Sequence, residues 1–187
     1  MARSRRPHEV LTLRVELTGT SPLVWRRVLV NASSTFEDLH GVLQLAMGWE
    51  DYHLHEFHVG DLRVGIDDDE DDDEVPLTDE ATVAIGDLVG VGGHFTYEYD
   101  FGDGWVHDLD VESADEVPLA LERAVCVGGE RACPPEDSGG VAGYEELLLV
   151  LSDLDHPRHQ ELVRWAHGFD PTVFNLAAVN ASLQHPR

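Results

Sequence analysis

The chain predicts a single α+β domain over residues 8–187: an antiparallel sheet with a central β-hairpin, one helix across the sheet and a helical C-terminal part. Three observations predict it. Phe95, Tyr97, Tyr99 and Phe101 alternate with polar residues, and Trp105, His107, Leu109 and Val111 do the same, a period of two that marks paired strands with one buried face. A helical apolar pattern begins behind Ser34, after two earlier alternating stretches. Beyond residue 143, apolar runs at helical spacing are punctuated by Pro and Gly.

In order along the chain, Val10 to Leu17 reads as a half-buried strand ending at Gly19, and Trp25 to Val30 as a second after the Ser21-Pro22 turn. Adjacent Arg26 and Arg27 require that at least one point outward or meet a carboxylate. Ser34 with Glu37 forms a capping box, and Phe36, Leu39, His40, Leu43, Ala46 and Met47 define a helix that stops at Gly48. Tyr52 to Val59 is a third strand placing His53 and His55 on one face. Asp67 to Glu74 is an unbroken acidic run whose self-repulsion predicts a mobile loop over residues 67–80, and residues 1–7 are expected to be flexible. Val83 to Val89 leads into the hairpin as a turn or short helix. There, pairing odd-numbered apolar residues puts Phe101 opposite Trp105, Tyr99 opposite His107, Tyr97 opposite Leu109 and Phe95 opposite Val111, with Gly102-Asp103-Gly104 as the loop. Pro118 to Gly143 reads as loop, and helices are expected over Tyr144–Leu154, His159–His167 and Asn175–Leu183. The ββα order with further strands is compatible with a β-grasp-like core.

Composition narrows function. A formal charge of −25 repels phosphate backbones and acidic membrane surfaces, which disfavours direct duplex DNA binding and any membrane role. All 12 basic residues are Arg, so Schiff-base chemistry and a P-loop lysine are excluded. Two cysteines and no signal-peptide pattern place the protein in a reducing cytoplasm without a disulfide.

The candidate functional residues are His53, His55, Asp100, Asp103, His107, Cys126 and Cys133. His53 and His55 on one strand face are a seed for a divalent metal, with further ligands to come from Asp103, His107, Glu56 or Cys133. The period separates Asp100 on the polar face, Asp103 in the loop and His107 on the apolar face, favouring a turn Asp and a core His over a catalytic cluster. Cys126 and Cys133, with six residues between them, lack CxxC spacing and read as reduced and buried. Gly139-Gly140 before a helix offers backbone N–H groups to an anion, but Glu136 and Asp137 beside it repel phosphate. No cofactor is predicted, and a divalent metal is the one group these residue types admit.

The strand WRRVLV, the run DLHGVLQLAMGWEDYHLHEF, the hairpin YEYDFGDGWVHDL, the loop CVGGERACPPEDSGG with GYEEL, and FDPTVFNLAAVN together resemble the plasmid pRiA4b ORF-3-like family. The resemblance runs from about Leu11 to about Leu183. It implies a bacterial protein associated with plasmids or transposons, without supplying an activity. Relatives commonly carry Cys where this chain has Ser138, which argues against a thiolate cluster here. Some relatives carry a resolvase label, but strand exchange needs cationic groups around the scissile phosphate, and this chain offers only Arg3, Arg5 and Arg6 as a basic arm. The leading expectation is therefore a non-catalytic binding or interaction module whose partner the sequence does not name, a protein being the candidate class. The alternatives are a metal-dependent hydrolase using a His/carboxylate cluster and a resolvase-like DNA-transaction accessory protein. A histidine-and-carboxylate cluster with bound metal in the purified protein would favour the hydrolase, and scattered histidines the module.

Overall fold

Strand formation here follows the alternation of apolar and polar residues, and the computed structural model, which describes residues 8–66 and 76–185, joins the strands into one sheet. The chain runs β1 (His8–Leu17), β2 (Val24–Asn31), α1 (Phe36–Met47), β3 (His55–Val59), β4 (Leu62–Gly65), β5 (Leu77–Asp79), α2 (Ile85–Leu88), β6 (His94–Tyr99), β7 (Trp105–Val117), β8 (Val125–Glu130), α3 (Gly140–Ser152), α4 (His159–Trp165) and α5 (Leu176–Gln184). Sheet order is β5-β4-β3-β6-β7-β1-β2-β8, and among these pairs only β4 with β5 is parallel. The α+β architecture predicted from sequence is therefore present. A β-grasp core needs a parallel pair at its centre. Here β1 and β7 are antiparallel, so that likeness stops at the strand–strand–helix order.

One face of the sheet is dry. Leu11, Leu13, Val15 and Leu17 of β1 meet Val24, Val28 and Val30 of β2 and Phe36, Leu39, Leu43 and Met47 of α1. The other face carries the polar half of each alternation, where Arg27 forms a fork with Glu112 and Arg14 lies 3.6 Å over the Trp25 ring. Of the two adjacent arginines, then, Arg27 finds its carboxylate and Arg26 turns inward. Arg26 donates to the Ala46 carbonyl at the end of α1 at 2.8 Å and to the Trp25 and Glu130 carbonyls, so a buried cation satisfies the helix C-terminus.

Several boundaries differ from expectation. The helix cap is Thr35 with Asp38, whose side chains and backbones bond reciprocally; Ser34 is drawn off by Asn31, and its carbonyl accepts Ile85 N–H. The third strand starts at His55, not Tyr52. The acidic run and residues 1–7 lie outside the described residues, but the predicted 67–80 loop is too long: Leu77–Asp79 pairs with β4. Likewise the stretch after the hairpin is not all loop, because β8 docks on β2. Asn180 of α5 brackets the outer edge of β8, accepting the Cys126 N–H and donating to its carbonyl.

The hairpin register is displaced by two residues. Tyr99 faces Trp105, Tyr97 faces His107 and Phe95 faces Leu109, leaving residues 100–104 as the loop. Phe101 is 51% exposed, and Val111 instead bonds Gly92 and Gly93. A two-residue slip preserves which side chains share a face, so the core was anticipated while the pairing was not. The cause is Asp100, which takes a left-handed conformation (φ 56°) and accepts the Gly102 and Asp103 N–H groups through Oδ1, closing a longer turn.

Candidate metal centre

Three segments distant in sequence meet beside the hairpin tip. The first is the tip itself. With Oδ1 of Asp100 committed to the turn, its Oδ2 faces His53 Nε2 at 3.6 Å, and the Asp100 N–H donates to the Leu54 carbonyl, tying the tip to the segment that carries the histidine.

The second segment links α1 to β3. Gly48 ends α1 in the left-handed conformation, and Trp49 turns inward to stack on Tyr99 at 4.8 Å while donating to the Pro134 carbonyl. Asp51 is also left-handed (φ 59°). The Tyr52 N–H donates to the Tyr99 hydroxyl, so His53 follows a backbone anchored to the hairpin.

The third is the loop after β8. Pro134 and Pro135 stiffen the approach to Glu136, whose Oε1 accepts the Glu50 N–H at 2.9 Å and the Tyr99 hydroxyl at 3.0 Å. Its Oε2 lies 4.0 Å from His53 Nε2. Asp137, left-handed at φ 55°, brings Oδ1 to 3.3 Å of the same nitrogen. Non-glycine residues held in this region are enriched at functional sites, and Asp100 and Asp137 both adopt it here.

One ligand atom each from His53, Asp100 and Asp137 lies within 4.8 Å of the others. His53 Nε2 and Glu136 Oε2 are buried and have no hydrogen-bond partner among the described residues, the 3.3 Å contact to Asp137 being misaligned for one. Asp100 and Glu136 thus share a design. One oxygen is pinned by N–H or O–H donors and the other is left to point inward, as carboxylates oriented for a cation are arranged.

The other sequence candidates are elsewhere. His55 does not join His53: its Nε2 pairs with Glu80 at 2.8 Å, and its ring stacks on His40 at 3.5 Å. The shared strand face expected for the two histidines is absent because β3 begins only at His55. His40 in turn contacts the Tyr97 hydroxyl through Nδ1 and Asp51 through Nε2, and burial, then His55, lower its pKa. Asp103 supports the centre without facing it, its Oδ2 accepting the Gly139 N–H at 3.0 Å. His107 is a core residue whose Nδ1–H donates to the Tyr97 carbonyl, and burial lowers its pKa to about 4. Cys126 and Cys133 are free and buried, and burial pushes both thiols up, away from the thiolate form. Glu136 and Asp137 are not among the sequence candidates because, read linearly, they only spoil a phosphate site. The available signal was two carboxylates immediately behind a rigid Pro-Pro pair.

Comparison with known proteins gives concordant results. The family model described as plasmid pRiA4b ORF-3-like protein matches residues 9–178. "Uncharacterized protein y4hQ" of Sinorhizobium fredii (strain NBRC 101917 / NGR234) is 37% identical over 179 residues, covering 93% of this chain and 90% of that protein. A crystal structure titled protein of unknown function MM3350, from Methanosarcina mazei Go1, superposes with a TM-score of 0.83 at 37% identity, covering 91% of this chain and 97% of that one.

Proposed function

The chain belongs to the plasmid pRiA4b ORF-3-like family, and from that premise we propose that it is a divalent-cation-dependent hydrolase, with His53, Asp100 and Asp137 as ligands and Glu136 as general base. The plasmid in the family's description supports an association with mobile elements. The observation that carries the reading is the approach of one imidazole and two carboxylates to within 4.8 Å of one another, with the buried His53 Nε2 and Glu136 Oε2 lacking hydrogen-bond partners among the described residues. A donor set of this kind suits manganese, iron or zinc better than a soft ion such as Cu(I). Three protein ligands with further positions open is the arrangement of catalytic metal sites, in which a bound water becomes a nucleophile near neutral pH. With a cation held by His53, Asp100 and Asp137, Glu136, pinned through Oε1 and without a hydrogen-bond partner at Oε2 among the described residues, would be the residue to accept a proton from a cation-bound water. A non-catalytic module does not require such convergence, so the hydrolase is the better supported of the two.

The test is calorimetric titration of Mn²⁺ or Zn²⁺ into chelator-stripped protein. One saturable site is expected, weakened at least about tenfold by His53→Ala or Asp100→Asn, as for loss of a ligand, and retained in Asp103→Asn, which keeps its acceptor for Gly139. Glu136→Gln is expected to hold metal and lose metal-restored hydrolysis. Absence of saturable binding, or equal binding by His53→Ala, overturns the proposal.

A further inference from the structure

A cavity that Asp137 of this centre lines has a composition of its own. It measures about 380 Å³ and lies between α3 and α4, with Asp137 and Ser138 at its edge. Because Asp137 is also 3.3 Å from His53 Nε2, the centre and the cavity share a wall. Two further cavities, along the outer face of α1, include none of the four residues of the centre.

Resting on the hydrolase reading, we propose that this cavity receives the substrate, and that the substrate is an amine-bearing amide with a bulky apolar side chain, as at the first residue of a peptide. Size and lining support the apolar part. A volume of this order is at the small end of ligand pockets. Leu147, Leu162 and Trp165 line it, and Trp165 is 41% exposed overall, an indole with apolar surface to offer a ligand.

Charge selects the amine. Arg158 reaches Glu146 at 2.6 Å and Glu161 at 3.3 Å, so one guanidinium faces two carboxylates in the cavity rim. A dication held among Asp100, Glu136 and Asp137 would still leave those three carboxylates one negative charge in excess. Both halves of the site therefore favour an ammonium group and repel a phosphate dianion, in keeping with the −25 of the whole chain. An amide carbonyl supplies the electrophile without adding negative charge.

The experiment uses the full chain, stripped and Mn²⁺-loaded, titrated with L-phenylalaninamide, acetamide and phenyl phosphate. Binding is read by tryptophan fluorescence and assigned by its loss in Trp165→Phe, and Mn²⁺ uptake is measured separately by electron spin resonance. L-phenylalaninamide is expected to bind at least about tenfold more tightly than acetamide, a difference a single apolar pocket supplies, and more tightly than phenyl phosphate, which the carboxylates repel. Glu146→Gln combined with Glu161→Gln is expected to weaken it without changing Mn²⁺ uptake. Equal binding of acetamide, tighter binding of phenyl phosphate, or indifference to the paired substitution overturns the pocket and leaves the metal centre standing. Selective L-phenylalaninamide binding without Mn²⁺ uptake supports the pocket and overturns the hydrolase reading.

Discussion

Tyr99 and Glu136 share a hydrogen bond of 3.0 Å, from the phenol to carboxylate Oε1, and through it the hairpin sets the orientation of the opposing loop. The same hydroxyl accepts the Tyr52 N–H, so one side chain orders two of the three segments that build the centre. Burial raises this phenol well above its usual pKa, which keeps it protonated and donating. Tyr99→Phe is therefore expected to cost roughly 1–2 kcal/mol of stability. Its metal affinity is expected to fall about 10-fold or more, as for loss of a ligand-orienting group. Denaturant unfolding and metal titration of the same variant check both. Unchanged affinity with reduced stability would mean that Tyr99 serves packing alone.

His107 makes stability depend on pH in a stated direction. Its folded pKa of about 4 lies below the ordinary 6.5, so as pH falls the unfolded chain takes up the proton first. The stabilisation is fully present above about pH 6.5 and declines through the window down to about 4, by roughly 3 kcal/mol in all. His40, also lowered, acts in the same sense. Urea unfolding of the parent and His107→Gln at pH 7 and pH 4.5 isolates the contribution as a difference in slope. Identical slopes in the two proteins would show that His107 is not the group responsible.

The observed hairpin register separates two aromatic residues that the other register would pair. Trp105 is fully buried against Trp49 and Tyr99, whereas Phe101 is half exposed in the turn. Trp105→Ala is expected to cost about 3–5 kcal/mol through the cavity it leaves, and Phe101→Ala less than about 0.5 kcal/mol. Comparable losses for the two in thermal or denaturant unfolding would restore the register with Phe101 opposite Trp105.

Alternation made the sheet and its buried face legible because a period of two is a local property of the chain. It identified Tyr97, Tyr99, Trp105, His107 and Leu109 as core, and all five are fully buried. Parity cannot report loop length, and the left-handed turn at Asp100 moved the register by two, keeping the buried face of both strands but leaving Phe101 exposed in the turn. The site was less legible because it is non-local. His53 was assigned to a strand that starts two residues later, and Asp100 was set apart from the histidines by a face argument that holds only inside a strand. Glu136 and Asp137 acquire meaning only when β8, docking on β2, carries its following loop back to the hairpin tip.

That docking is tightest at Gly140, which gives the last prediction. Gly139 and Gly140 both have positive φ, and a Cβ on Gly140 would stand 2.4 Å from the Asp103 carbonyl oxygen, a backbone atom with little room to yield. The start of α3 therefore rests directly on the turn that holds Asp100, while Asp103 Oδ2 receives the Gly139 N–H on the same side. Gly140→Ala is expected to cost about 2–4 kcal/mol, combining left-handed strain with a backbone clash. By forcing the tip away from residues 137–140 it should also widen the gap between Asp100 and Asp137 and weaken cation binding. Gly60→Ala is the control, since Gly60 also has positive φ (60°) but nothing within 4 Å of an added Cβ. It is expected to lose only about 1–2 kcal/mol, with metal affinity intact. Equal stability losses in the two variants, measured by chemical unfolding, would mean that the contact between α3 and the hairpin tip yields easily and does not hold the two aspartates in place.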